Sequence, residues 1–155
     1  MTATATPPGL RFAFQITARI GPGMEVGEVG GGRKRIVPIL GGTAEGRLNA
    51  TILEGGADWQ TIRPSGVTDA WARYTLRASD GAHIIVTNVG VRRASPEVSA
   101  RLAAGERLDP SEYYFRTAPV FETGSDAHRW LTEATFVCAG ERWPDKVVFK
   151  VFEVE

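Results

Sequence analysis

Neither sign of charge is in excess in this chain: Lys+Arg 18 stand against Asp+Glu 18. A protein whose main task is gripping a phosphate backbone needs surplus cations, because that affinity is mostly electrostatic. No nucleic-acid partner is expected, and the basic run Arg33-Lys34-Arg35 reads as a solvated face or loop. Cysteine is almost missing. A lone thiol, Cys138, cannot make an internal disulfide, which fits a reducing compartment. Its apolar setting, Thr135-Phe136-Val137-Cys138-Ala139, points to a buried, inert group rather than a nucleophile. The two histidines, His83 and His128, sit in polar or turn-like surroundings. They leave little for an imidazole-based metal site, so no metal and no cofactor are expected.

Long apolar runs are absent as well, none nearing the ~18 residues of a membrane span. The start, Met1 to Pro8, has neither the basic nor the apolar region of a signal peptide. The expectation is a cytoplasmic protein without a membrane partner. Gly30-Gly31-Gly32-Arg33-Lys34-Arg35 has glycines and cations but lacks the spacing and the Lys-Ser/Thr ending of a phosphate loop.

What is present is strand periodicity. Leu10, Phe12, Phe14, Ile16, Ala18 and Ile20 alternate with Arg11, Gln15, Thr17 and Arg19, up to the turn Gly21-Pro22-Gly23. Similar runs span 35–40, 47–53, 59–63, 69–77, 82–91, 113–121, 130–139 and 146–154, divided by Gly, Pro and Asp-Gly punctuation. One segment differs. Ser95-Pro96 followed by good helix formers and Gly105 predicts a short helix near 96–104, placed to cover a barrel mouth or an oligomer contact.

The fold class expected is all-β, a closed or nearly closed antiparallel barrel of about eight to nine strands, since closure removes exposed edges. A sandwich is the alternative. Residues 1–8 read as a flexible tail and 9–155 as a single domain.

Polar residues inside these strands are the candidate site. Asp69, Trp71 and Arg73 share one strand face, opposite Ala70, Ala72, Tyr74 and Leu76. Tyr114, Arg116 and Glu122 share parity, with Pro119 a threat to that register. Asp58 and Gln60 flank Trp59. In a sheet with one wet face such residues simply meet solvent. In a barrel of about eight strands they can instead line a lumen that holds a small ligand. The chemistry on offer is acid–base: Asp58, Asp69 or Glu122 to move a proton, Tyr74 or Tyr114 to donate to an oxyanion, Arg73 or Arg116 to hold an enolate or carboxylate. Buried Asp–Arg and Glu–Arg pairs that merely fix register are the competing reading.

Several ordered motifs carry a family resemblance. They are Gly41-Gly42-Thr43-Ala44-Glu45-Gly46, Gly55-Gly56-Ala57-Asp58-Trp59-Gln60, Ala72 to Leu76 with Asp80-Gly81, Tyr113 to Pro119 with Phe121-Glu122-Thr123-Gly124, and Trp130-Leu131 before Phe136-Val137. From about Leu10 to Val154 the chain resembles the bacterial and fungal domain of unknown function 3237 (UPF0311-like) family. Thr132 departs from the Asn expected after Trp130-Leu131. The resemblance implies a compact β-barrel, similar in architecture to cofactor-independent barrel cyclases and lipocalin-like binders, but no particular reaction. It draws attention to Asp58, Trp59, Arg73, Tyr74, Tyr114, Arg116 and Glu122, and Trp130 joins Trp59, Trp71 and Tyr74 as candidate ligand contacts. The function expected is a small-molecule barrel acting as a lyase, isomerase or cyclase on a carbonyl-bearing or aromatic metabolite. A non-catalytic binder of an apolar ligand and an oligomerising structural domain are the alternatives, with a homo-oligomer possible in either case.

Overall fold

The computed structural model describes residues 2–155. In chain order the elements are β1 (Leu10–Ile20), β2 (Met24–Glu28), β3 (Arg33–Gly46), β4 (Ala50–Ile52), β5 (Gly56–Ile62), β6 (Thr68–Ala78), β7 (His83–Arg93), α1 (Pro96–Ala103), β8 (Tyr114–Glu122), β9 (Thr135–Arg142) and β10 (Lys146–Val154). Around the sheet, β1 neighbours β10, then come β9, β8, β7 and β6. β4 and β5 share the next place, both lying between β6 and β3. β3 then pairs back onto β1, from Phe14↔Gly46 to Ile20↔Ile39. The result is a closed antiparallel barrel of eight strands with two extra strands.

β3 is longer than its sequence suggests. Gly41-Gly42 reads as a terminator, yet the strand runs through it. Gly42 has φ +137°, and a Cβ there would lie 1.9 Å from the Thr17 carbonyl oxygen. Glycine here lets β3 bend tightly against β1 opposite Ala18, next to the register shift between Arg19 and Ile20, so the barrel can close. β2, a short edge strand on the first part of β3, is not expected from the sequence. β9 starts at Thr135, because Trp130 and Leu131 belong to a 3-10 turn over Asp126–Leu131. α1 forms as read: the Ser95 hydroxyl accepts from the Val98 N–H at 3.2 Å, and Gly105, just past the end, takes φ +86°.

The interior has two halves. At one end Phe14, Ile16, Leu76, Ile84, Val86, Phe136 and Val151 are almost wholly buried. Phe121 packs there on Phe14 and Phe136, with ring centroids 5.8 and 5.4 Å apart. Trp130 caps that end against Phe14 and Phe136 while the Arg47 guanidinium covers its face. This half is a close-packed core. Toward the other end the inward residues shrink to Ala18, Ala70 and Ala72, and the filling stops. The longest described helix has eight residues, so none is long and apolar enough to cross a membrane.

Candidate functional site

The unfilled half of the lumen is a small cavity of about 50 Å³. Its walls are largely apolar, with Val37, Ile39, Phe115 and Phe149 prominent. Its polar groups come from the inner faces of six strands: Arg35 (β3), Asp58 and Gln60 (β5), Tyr74 (β6), Asn88 and Arg92 (β7), Thr117 (β8) and Arg142 (β9). Each strand face that is apolar deep in the barrel turns polar as it approaches this end. In β7, for example, Ile84 and Val86 lead by alternation to Asn88 and Arg92.

Asp58 is held firmly. One carboxylate oxygen accepts the Trp71 backbone N–H at 2.9 Å and the other accepts the Gln60 amide N–H at 2.8 Å. Between Asp58↔Ala72 and Thr61↔Asp69 the β5–β6 ladder therefore gives a backbone donor to a side chain. Burial raises the Asp58 pKa above its ordinary value, and the two hydrogen bonds and the nearby Arg92 and Arg35 charges offset that only in part.

The cations face the opposite problem. Burial pushes Arg92 down to about 10, the Arg142 charge adds to the effect, and Asp58 opposes it. Arg142 is lowered too, by burial and then by Arg35. No described carboxylate is within ion-pairing distance of Arg92 or Arg142.

Among the described residues four buried side-chain atoms lack a hydrogen-bond partner: Gln60 Oε1, Tyr74 Oη, Asn88 Oδ1 and Thr117 Oγ1. All four residues line this one cavity. Such groups each cost about 1–3 kcal/mol when left unpaired, and a water or another polar group in the cavity would satisfy all four. Thr117 softens the titration of Cys138 but makes no well-formed bond to it, and burial pushes that thiol up to about 12, consistent with an inert group. Burial also raises Tyr74 well above the ordinary phenol value, so it stays protonated and can donate.

Of the residues singled out in the sequence, Asp58 and Tyr74 lie in this cavity. The others face elsewhere, which corrects the lumen assignment for them. Asp69 sits on the outer face and makes a two-pronged pair with Arg63 at 2.6 and 2.7 Å. Trp59 and Trp71, each 42% exposed, meet edge to face outside the barrel. Arg73 reaches Thr87 at 3.2 Å and Glu122 at 3.8 Å, again on the outside. Tyr114, Arg116 and Glu122 are exposed, and β8 alternates through Pro119 with no register shift against β7. The parity grouping was sound and the face was the reverse. A lumen must be mostly apolar to hold the barrel together, so the charged face of each strand turns to water. Trp130 closes the opposite end and does not reach the cavity. Arg35, Asn88, Arg92, Thr117 and Arg142 were missed, although each continues the apolar parity of its own strand.

Over residues 8–154 the sequence matches the family described as protein of unknown function (DUF3237). The chain belongs to this family. A UPF0311 protein of Bradyrhizobium diazoefficiens is 44% identical over 144 residues, covering 93% of this chain and 95% of that one. The crystal structure of a conserved protein of unknown function from Rhodopseudomonas palustris superposes with TM-score 0.94 at 41% identity, covering 97% and 100% of the two chains. More distantly, a protein of Penicillium herquei named a hydroalkoxylation enzyme is 28% identical over 131 residues, or 84% of this chain and 72% of that one.

Proposed function

We propose that this DUF3237 barrel binds a small oxygen-bearing metabolite in its lumen and moves a proton on it, as a lyase, isomerase or cyclase. The observation that carries the reading is the convergence of four unpartnered buried polar atoms with one raised carboxylate in a single cavity. Asp58 is the proton carrier. Its raised pKa brings it closer to neutrality, where a general acid–base works best. The charge that develops on the substrate oxygen is met by the protonated Tyr74 and by Arg92. Aromatic and aliphatic walls hold the carbon frame.

The distant relative's name supports this class of chemistry. Hydroalkoxylation adds an O–H across a carbon–carbon double bond, a proton-balanced step that oxidises and reduces nothing overall. A carboxylate that removes the proton from oxygen and returns one to carbon is sufficient machinery for such a step.

The test is a thermal-shift screen of enones, phenolics and aromatic acids, followed by turnover assays on the hits. A ligand should raise the melting temperature. Asp58→Asn should keep that shift while losing at least about 100-fold in turnover, the usual worth of a general base. A variant that turns over at the native rate would remove Asp58 from the chemistry and leave a binding protein.

A further inference from the structure

Above the lumen lies a second space. Arg35, Arg92 and Arg142 line the cavity and also line a crevice of about 130 Å³ beneath α1, where Ser99 and Leu102 form the opposite wall. Arg33 and Arg93 complete this crevice, which thus collects five guanidinium groups. Their engagements are unequal. Arg33 pairs with Glu25 at 2.5 Å, and Arg35 meets the same carboxylate at only 4.0 Å. Arg93 stacks on Tyr114 with its guanidinium 4.5 Å from the ring centre. Among the described residues Arg92, Arg93 and Arg142 have no carboxylate within ion-pairing distance, and of these three only Arg92 and Arg142 also line the lumen, where burial lowers the pKa of both.

We propose that this junction seats the carboxylate of the substrate, so that the metabolite taken into the lumen is a small organic acid with an apolar or aromatic body. The inference rests on the lumen being a small-molecule site, and it adds the charge and orientation of what enters. Two desolvated cations that repel each other destabilise the empty protein, and a structural arginine at such a depth would come with its own acid. Glu25 and Asp58 are the acids facing this cluster, and neither neutralises the pair: Glu25 is taken by Arg33, and Asp58 is bonded to Trp71 and Gln60. Guanidinium forks match carboxylate geometry. The body of the acid would point down toward Phe115, Phe149 and the unpartnered Asn88 and Thr117. α1, joined to β7 immediately after Arg93, lies over the headgroup.

Matched probes test this: cinnamate against cinnamamide and 2-naphthoate against 2-naphthamide, each titrated calorimetrically into the intact protein. The acids should bind at least about 10-fold more tightly than their amides, roughly one charge-assisted contact. Arg142→Gln should erase that preference while leaving amide affinity unchanged, and the ligand-free variant should melt at or above the native temperature. Arg92→Gln should likewise lower acid affinity at least about 10-fold. Equal binding of acid and amide would overturn the headgroup seat and leave the lumen reading standing. A variant that melts several degrees lower with its acid preference intact would also overturn it, by showing a structural arginine. Failure of every acid and every amide to bind would bring down the lumen reading and this inference with it.

Discussion

At Asp58 one carboxylate oxygen takes the Trp71 N–H and the other takes the Gln60 amide N–H, and each keeps a lone pair for a proton. Gln60 can follow that protonation, since its own Oε1 has no partner and a flip of the amide would present that oxygen to a protonated Asp58. The raised pKa has a consequence for stability. Between the ordinary 3.8 and the higher folded-state value, the folded protein holds a proton that the unfolded chain has released. Stability from this group is therefore complete below 3.8 and is lost as pH rises through the folded pKa. Asp58→Asn removes that loss, so its stability relative to the native protein should improve as pH rises above about 4, the ordinary carboxyl value, in urea melts. A difference that stays constant with pH would show that Asp58 titrates normally. Asn88 offers a second measurement. It is 1% exposed with an unpaired carbonyl oxygen, so Asn88→Leu should stabilise the empty protein by about 1 kcal/mol while weakening binding of any polar ligand. Loss of stability would mean that the carbonyl is satisfied in solution.

Along β6 the two faces have different jobs. Ala70, Ala72, Tyr74 and Leu76 face in, and Trp71 and Arg73 face water. Leu76→Ala should cost about 2–5 kcal/mol in chemical denaturation. Arg73→Ala, which loses only exposed contacts to Thr87 and Glu122, should change stability by no more than about 0.5 kcal/mol. Comparable losses from the two would contradict the assigned faces. β3 is the element most dependent on one residue. Gly42→Ala meets both an unfavourable φ and the Thr17 carbonyl, and should cost upward of about 2 kcal/mol or abolish soluble expression. An alanine tolerated there without change in melting temperature would mean that the β1–β3 seam is looser than described.

At the scale of the molecule, the barrel is closed by strands from both ends of the chain. β1 pairs with β10 from Leu10↔Val154 to Arg19↔Lys146 and with β3 on its other side. Long-range pairing of this kind must wait for chain closure, so refolding should fall in the millisecond-to-second range by stopped-flow fluorescence. Submillisecond folding would point to a more local nucleus than the topology implies.

Much of this was legible in the residues. Alternation at Leu10–Ile20 and Lys146–Val154, the Ser95 cap and the balanced charge specified strands, helix and chain class, because these depend on periods of two or on contacts within a few positions. The motifs also brought Asp58 and Tyr74 forward. Which face of each strand looks inward was settled only by closure. Parity sorts residues into two sets, but it takes the competition among all strands for a mostly apolar interior to turn Asp69, Arg73 and Arg116 outward. Arg35, Arg92 and Arg142 lie far apart in sequence, and each looks like an ordinary strand-end cation. Only the antiparallel wrapping of the barrel, which brings alternate strand ends to one mouth, puts them around the same cavity.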